Sequence, residues 1–200
     1  MGTALRGLVA AAVISVAAPA PQAVTDADSR EIASYRLSMA VVNQVAAATR
    51  AMVAELKRDP QFQEVAKVNG EIKALEAKPE RTEAEDTRLE TLRARKEELS
   101  DALKGPSLGE ADSLTEMEAQ IRKVAPLMAG LRSANMSPRD YAKFMLASLQ
   151  AGMVAGLKKQ GMLKEIPRDV SVENVQFMEA HERELQALQK ELSALGGEAP

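Results

Sequence analysis

Residues 25–58, TDADSREIASYRLSMAVVNQVAAATRAMVAELKR, decide the fold class. Ile32, Tyr35, Met39, Val42, Ala46, Thr49, Val53 and Leu56 recur at alternating steps of three and four, the phase that lines one side of an α-helix. The seam is sustained for more than three heptads, and Thr25 with Asp28 forms a capping box at its start. The spacing therefore predicts one helix over about 27–58.

The same signals recur further along the chain. Asp59-Pro60 opens a second helix carrying Phe62, Val65, Val68, Ile72 and Leu75, which ends before Pro79. Thr82 and Glu85 make another capping box, and a third helix follows with Leu89, Leu92, Leu99 and Leu103 until Gly105-Pro106. The short link from Lys78 to Thr82 makes these two helices antiparallel neighbours. Their apolar stripes are narrow, and Glu90, Arg93 and Glu97 are spaced for pairing along the helix. A largely solvated hairpin at about 61–104 is expected to project from the body.

Ser113 with Glu116 caps a fourth helix through Leu114, Met117, Ile121, Val124, Met128 and Leu131, which Pro126 kinks or restarts. Ser137-Pro138 opens a fifth that stops at Gly161. After a loop containing Pro167, Ser171 precedes a sixth over about 172–195, with Met178, His181, Leu185, Leu188, Leu192 and Leu195 on one seam and Gly196-Gly197 at its end. No strand pattern occurs. The reading is all-α: a bundle of about six helices with a protruding antiparallel hairpin, residues 24–200 forming one domain.

Residues 1–23 read as a secretory signal, with Arg6 before an apolar stretch from Leu8 to Ala18 and small residues at Ala17, Ala18, Ala20 and Ala23. Pro19 and Pro21 close that stretch well short of the roughly 20 residues a spanning helix needs. A periplasmic or secreted protein is expected.

Composition narrows the chemistry. The 200 residues contain no cysteine and one histidine, which rules out disulfides, thiolate metal sites, a Cys nucleophile and multi-histidine metal centres. Lys and Arg total 26 against 29 Asp and Glu, a net charge of −3 that argues against a general nucleic-acid partner or an anionic membrane surface. No G-x-S-x-G nucleophile turn and no phosphate-binding glycine loop is present. Carboxylate pairs such as Glu97 with Glu98, or Glu83 with Glu85, sit on strongly charged faces and read as solvated surface, as do the basic runs at Arg93, Arg95, Lys96 and at Lys158, Lys159, Lys164. No catalytic residue and no metal ligand set is assigned, and the chain reads as a non-enzyme.

Three features remain as candidates. His181 falls on an apolar seam, where it is either a hydrogen-bonded core histidine or an axial ligand to haem with Met39 as the second ligand. Methionine is abundant, which suits either core packing or a surface that adapts to apolar partners. In the fifth helix, Ser148, Gly152 and Gly156 form a small-residue stripe that suggests close packing, beside Tyr141, Phe144, Met145 and Leu149 as the wall of an apolar ligand pocket.

The stretch 137–161, SPRDYAKFMLASLQAGMVAGLKKQG, followed by IPRDVSVENVQFMEAHERE at 166–184, resembles a loosely defined set of small secreted helical proteins of environmental bacteria. That resemblance implies secretion and an all-helical fold, and no activity. A second likeness is to periplasmic helical chaperones, from which the chain departs in lacking an L-T-x-x-Q repeat and in its charge-balanced arm. Together these readings give a helical interaction or accessory protein that binds a protein partner, a second copy or an apolar ligand. A cofactor carrier using His181 and a client-binding chaperone are the alternatives.

Overall fold

The computed structural model describes residues 26–102 and 111–197. The expected signal segment 1–23, the cap at Thr25 and the helix stop at Gly105-Pro106 lie outside them. The fold is all-α, with nine helices and no strand among the described residues. They are α1 (Asp26–Ser34), α2 (Met39–Leu56), α3 (Pro60–Glu76), α4 (Glu83–Ala102), α5 (Leu114–Arg122), α6 (Ala125–Ser133), α7 (Pro138–Lys159), α8 (Val172–Ala180) and α9 (Glu182–Gly197).

Three expected helices are each divided in two, which accounts for nine in place of six. The first does not run unbroken from 27 to 58: it bends by 104° between α1 and α2. The fourth restarts at Ala125, with Pro126 in the first turn of α6, where its missing N–H costs nothing. The last is interrupted at His181, which leaves helical geometry with φ −108° and ψ 16°. Beyond it α9 continues to Gly197, through the glycines expected to end it.

The helix starts follow the local chemistry. Asp59 accepts from the backbone N–H groups of Gln61 and Phe62, Ser113 from Glu116, Ser137 from Asp140 and Ser171 from Asn174, each satisfying a first-turn donor. Thr82 and Glu85 form the reciprocal box, with Thr82 N–H donating to Glu85 Oε2 at 3.0 Å and Glu85 N–H to Thr82 Oγ1 at 3.3 Å. Two ends close through a left-handed residue. Asn135 (φ 55°) lets Met136 N–H reach Leu131 O, and Gly161 (φ 71°) lets Met162 N–H reach Leu157 O, both at 2.9 Å.

The main core joins Ile32 of α1, Val45 and Met52 of α2, Ile121 of α5, Leu131 of α6 and Ala151 of α7, and it includes Val175 and Leu185 from the C-terminal helices. α2 packs against α6 with little room. A Cβ at Gly130 would lie 2.3 Å from the carbonyl oxygen of Ala48, so the contact requires glycine.

α3 and α4 have a separate cluster of Val65, Val68, Ile72, Leu75, Leu89 and Leu99, while Phe62 at the start of α3 packs on the main core. Ion pairs of Glu71 with Arg88 and of Glu64 with Arg95, each at 2.7 Å, run between them in antiparallel order. Arg93 reaches across to Glu76 at 2.6 Å, a pairing between helices instead of the one expected along α4. No single helix among the described residues is long and apolar enough to cross a membrane. α1 and α2 reach such a length only together, and the buried residues of α2 are committed to the core.

Candidate functional site

His181 sits at a junction. Its N–H donates to Phe177 O to finish α8, and its carbonyl accepts from Leu185 N–H to begin α9. The side chain is 36% exposed, its Nδ1 lies 2.6 Å from Glu184 Oε2, and the ring tilts against Phe177 with centroids 4.7 Å apart. The expected place on an apolar seam becomes a half-exposed one, at the residue whose backbone departs from helical geometry. Met39, the first residue of α2, packs half-buried against the main core. Its segment runs in the same direction as α8 and α9: Leu37 pairs with Asn174 and Arg50 with Glu191, at sequence separations of 137 and 141. The His181 ring contacts Phe177 and Glu184.

On α7, Tyr141 and Phe144 are core residues, 3% and 8% exposed, while Met145, Leu149 and Gly152 are half-buried. Burial pushes the Tyr141 hydroxyl up to about 12. The small-residue stripe does not mark a close helix approach along its length: a Cβ at Gly156 would meet nothing within 4 Å, and one at Gly152 only the flexible end of Met178 at 3.3 Å. The glycine that a neighbouring backbone does press against is Gly130, on α6. Lys158 and Lys159 at the end of α7 pair with Glu179 and Glu182, at 2.8 Å and 2.7 Å.

A more constrained site lies at the bend between α1 and α2. Asn174 is 3% exposed, and its side chain answers two backbone groups of the bend: Leu37 N–H donates to Asn174 Oδ1 at 2.9 Å and Asn174 Nδ2 donates to Tyr35 O at 2.8 Å. Arg36 adds two contacts, from Nη1 to Ala33 O at 3.2 Å and to Ser171 Oγ at 3.0 Å. Ser171 was identifiable from sequence as a helix cap, but nothing in the local pattern connects Asn174 with a segment more than 130 residues earlier.

α1 is held on its other side by charge. Glu31 accepts from Arg139 through both oxygens, at 2.9 Å and 2.5 Å, while Lys143 lies 3.6 Å from Glu31 and 2.8 Å from Asp140. Glu118 of α5 approaches Arg139 at 3.6 Å, and Lys143 stands 5.6 Å over the Tyr35 ring. Burial, with Asp140 adding to it, pushes the Tyr35 hydroxyl up to about 12. The hydrogen bonds from Arg139 hold the Glu31 carboxyl below its ordinary value, against a smaller opposing effect of burial.

A depressed carboxylate contributes stability that is complete above its unfolded pKa, 4.5 here, and is lost as pH falls through the folded value. Glu31→Gln is therefore expected to cost at most about 1 kcal/mol at neutral pH, the pair being about one-third exposed, and to lose less than the native chain on acidification. Urea midpoints at about pH 7 and about pH 3 check this. Parallel losses in the two proteins would mean that the pair contributes nothing.

Among the described residues no group of three or more His, Asp or Glu side chains is placed to hold a metal ion. A shallow open depression lined by Ala84, Thr87, Arg88, Thr91 and Leu92 follows one side of α4, all from one helix. No family model, curated protein or solved structure matches this chain.

Proposed function

We propose that this chain is a non-enzymatic interaction or accessory protein of the periplasm or secreted space, a helical body that engages a protein partner through a projecting α3–α4 hairpin. The observation that carries this reading is the division of the apolar side chains. Val65, Val68, Ile72, Leu75, Leu89 and Leu99 form a cluster apart from the main core, and the two helices are laced together by their own ion pairs. Two helices that bury their apolar side chains mainly against each other add little beyond Phe62 to the main core, which leaves their outer faces available to a partner.

Deleting residues 61–104 and joining the flanks with a short flexible linker tests this. The truncated protein is expected to keep the helical content and cooperative unfolding of the body, and to lose the partners that the intact chain captures by cross-linking in its own host. Unchanged partners after the deletion would overturn the reading.

Cofactor carriage is the second reading, supported by the Glu184 carboxylate that orients the His181 imidazole, an arrangement also used to tune ligating histidines. It requires visible absorption in protein from a haem-supplied host and its loss in His181→Ala. A binding role for an apolar ligand at Tyr141, Phe144, Met145, Leu149 and Gly152 would appear as excess mass in native mass spectrometry.

A further inference from the structure

Tyr35-Arg36-Leu37-Ser38 contains neither proline nor glycine, and the apolar phase at 32, 35, 39 and 42 continues through it. By its own chemistry this segment is helical. The chain nevertheless turns by 104° here. In an unbroken helix, Leu37 N–H would donate to Ala33 O and Tyr35 O would accept from Met39 N–H. At the bend three of these groups have side-chain substitutes: Asn174 Oδ1 for Leu37 N–H, Asn174 Nδ2 for Tyr35 O, and Arg36 for Ala33 O. The new N-terminus of α2 is capped by Ser38 Oγ, which accepts from Val41 N–H. The bend is thus an alternative to a straight helix, held from elsewhere in the chain.

α1 behaves as a plug in a socket formed by α5 and α7. Ile32 is 1% exposed, Asp28 Oδ2 accepts from Leu114 N–H at 3.4 Å, and Glu31 is gripped by Arg139. We propose that α1 is exchanged between two copies of this chain: the elbow straightens into one helix from Asp26 to Leu56, and each copy seats its α1 in the socket of the other.

The occupant is a second copy because every plug contact is reproduced in its socket, including the Leu114 donor and the Arg139 and Lys143 charges that match Asp28 and Glu31. Closed monomer and exchanged dimer then differ mainly at the elbow. The monomer has the Asn174 bonds, the dimer has the continuous helix, and protein concentration sets the balance. This inference does not depend on the α3–α4 hairpin.

Charge reversal separates exchange from any other association. Glu31→Arg in one protein and Arg139→Glu in another each leave a like-charge pair within the closed monomer. When the two are mixed, exchange places each plug opposite a socket of opposite sign, in both halves of the heterodimer. Native mass spectrometry of the mixture is expected to show a one-to-one heterodimer exceeding the dimer of either variant alone by about tenfold. Adding Asn174→Ala to both is expected to raise it further, and adding Arg36→Pro, which kinks or breaks a straight helix, to abolish it, whereas Arg36→Ala, which loses the same side-chain contacts, leaves it in place. Overturning results are a mixture containing no heterodimer with the elbow intact or a heterodimer that persists with Arg36→Pro.

Discussion

Gly130→Ala is expected to destabilise the protein by about 3 kcal/mol, the upper end of the usual cost of overpacking. The added Cβ would stand 2.3 Å from Ala48 O and 3.2 Å from both Ala48 C and Met52 N. All three are backbone atoms inside α2, so no rotamer change relieves the clash and α6 must move away from α2. That displacement opens the core around Leu131, which is fully buried. The sign is opposite to the ordinary effect of the substitution, since alanine in a helix interior gains about 1 kcal/mol over glycine. Gly70→Ala and Gly156→Ala, where a Cβ meets nothing within 4 Å, are expected to show that gain. Urea unfolding of the three variants checks both directions. A Gly130→Ala protein as stable as the Gly156→Ala protein would mean that α2 and α6 are not in backbone contact.

These glycines show what could be read in advance. The stripe at Ser148, Gly152 and Gly156 has the spacing of a close helix contact, but spacing fixes only a common face and not which residue meets a neighbouring backbone. Gly130 occurs alone in the sequence and gives no such signal. All-α character and most helix starts were legible because they depend on local chemistry: Asp59-Pro60, Ser113, Ser137 and Ser171 each cap the turn that follows them. Pro126 was also legible as a kink or a restart, and the helix restarts there. The elbow at 35–38 was not, because its apolar phase continues unbroken and, beside the local contacts of Arg36 and Ser38, the groups that answer its backbone come from Asn174, more than 130 residues away. His181 failed for a related reason. Its phase with Met178 and Leu185 places it on a seam only if helical geometry continues through it, and the interruption at this residue leaves the ring half-exposed against Phe177 and Glu184. The long-range ion pair of Glu31 with Arg139 likewise has no local signature, although both residues begin as ordinary surface charges on their helices.

Asn174→Ala is expected to cost the closed monomer about 3 kcal/mol, since it leaves the buried Leu37 N–H and the part-buried Tyr35 C=O without their partners. Asn174→Leu restores volume but neither bond, and is expected to fall at least as far. Asn174→Asp separates the two bonds. Its carboxylate still accepts from Leu37 N–H but faces the Tyr35 carbonyl with no proton to offer, at a site 3% exposed in the native protein. Arg36, bonded to the adjacent Ser171, offsets part of the buried charge. Desolvation and the facing carbonyl raise the folded-state pKa of that carboxyl above its unfolded value, so its contribution is present at low pH and lost as pH rises through the folded value. As pH falls from about 7 to about 4.5, Asn174→Asp is therefore expected to gain stability relative to the native protein as a protonated oxygen donates to Tyr35 O. Urea midpoints across that window measure the difference. If Asn174→Asp and the native chain respond to pH in parallel, the side chain does not bridge the elbow, and the bend must be held by Arg36 and the α1 socket alone.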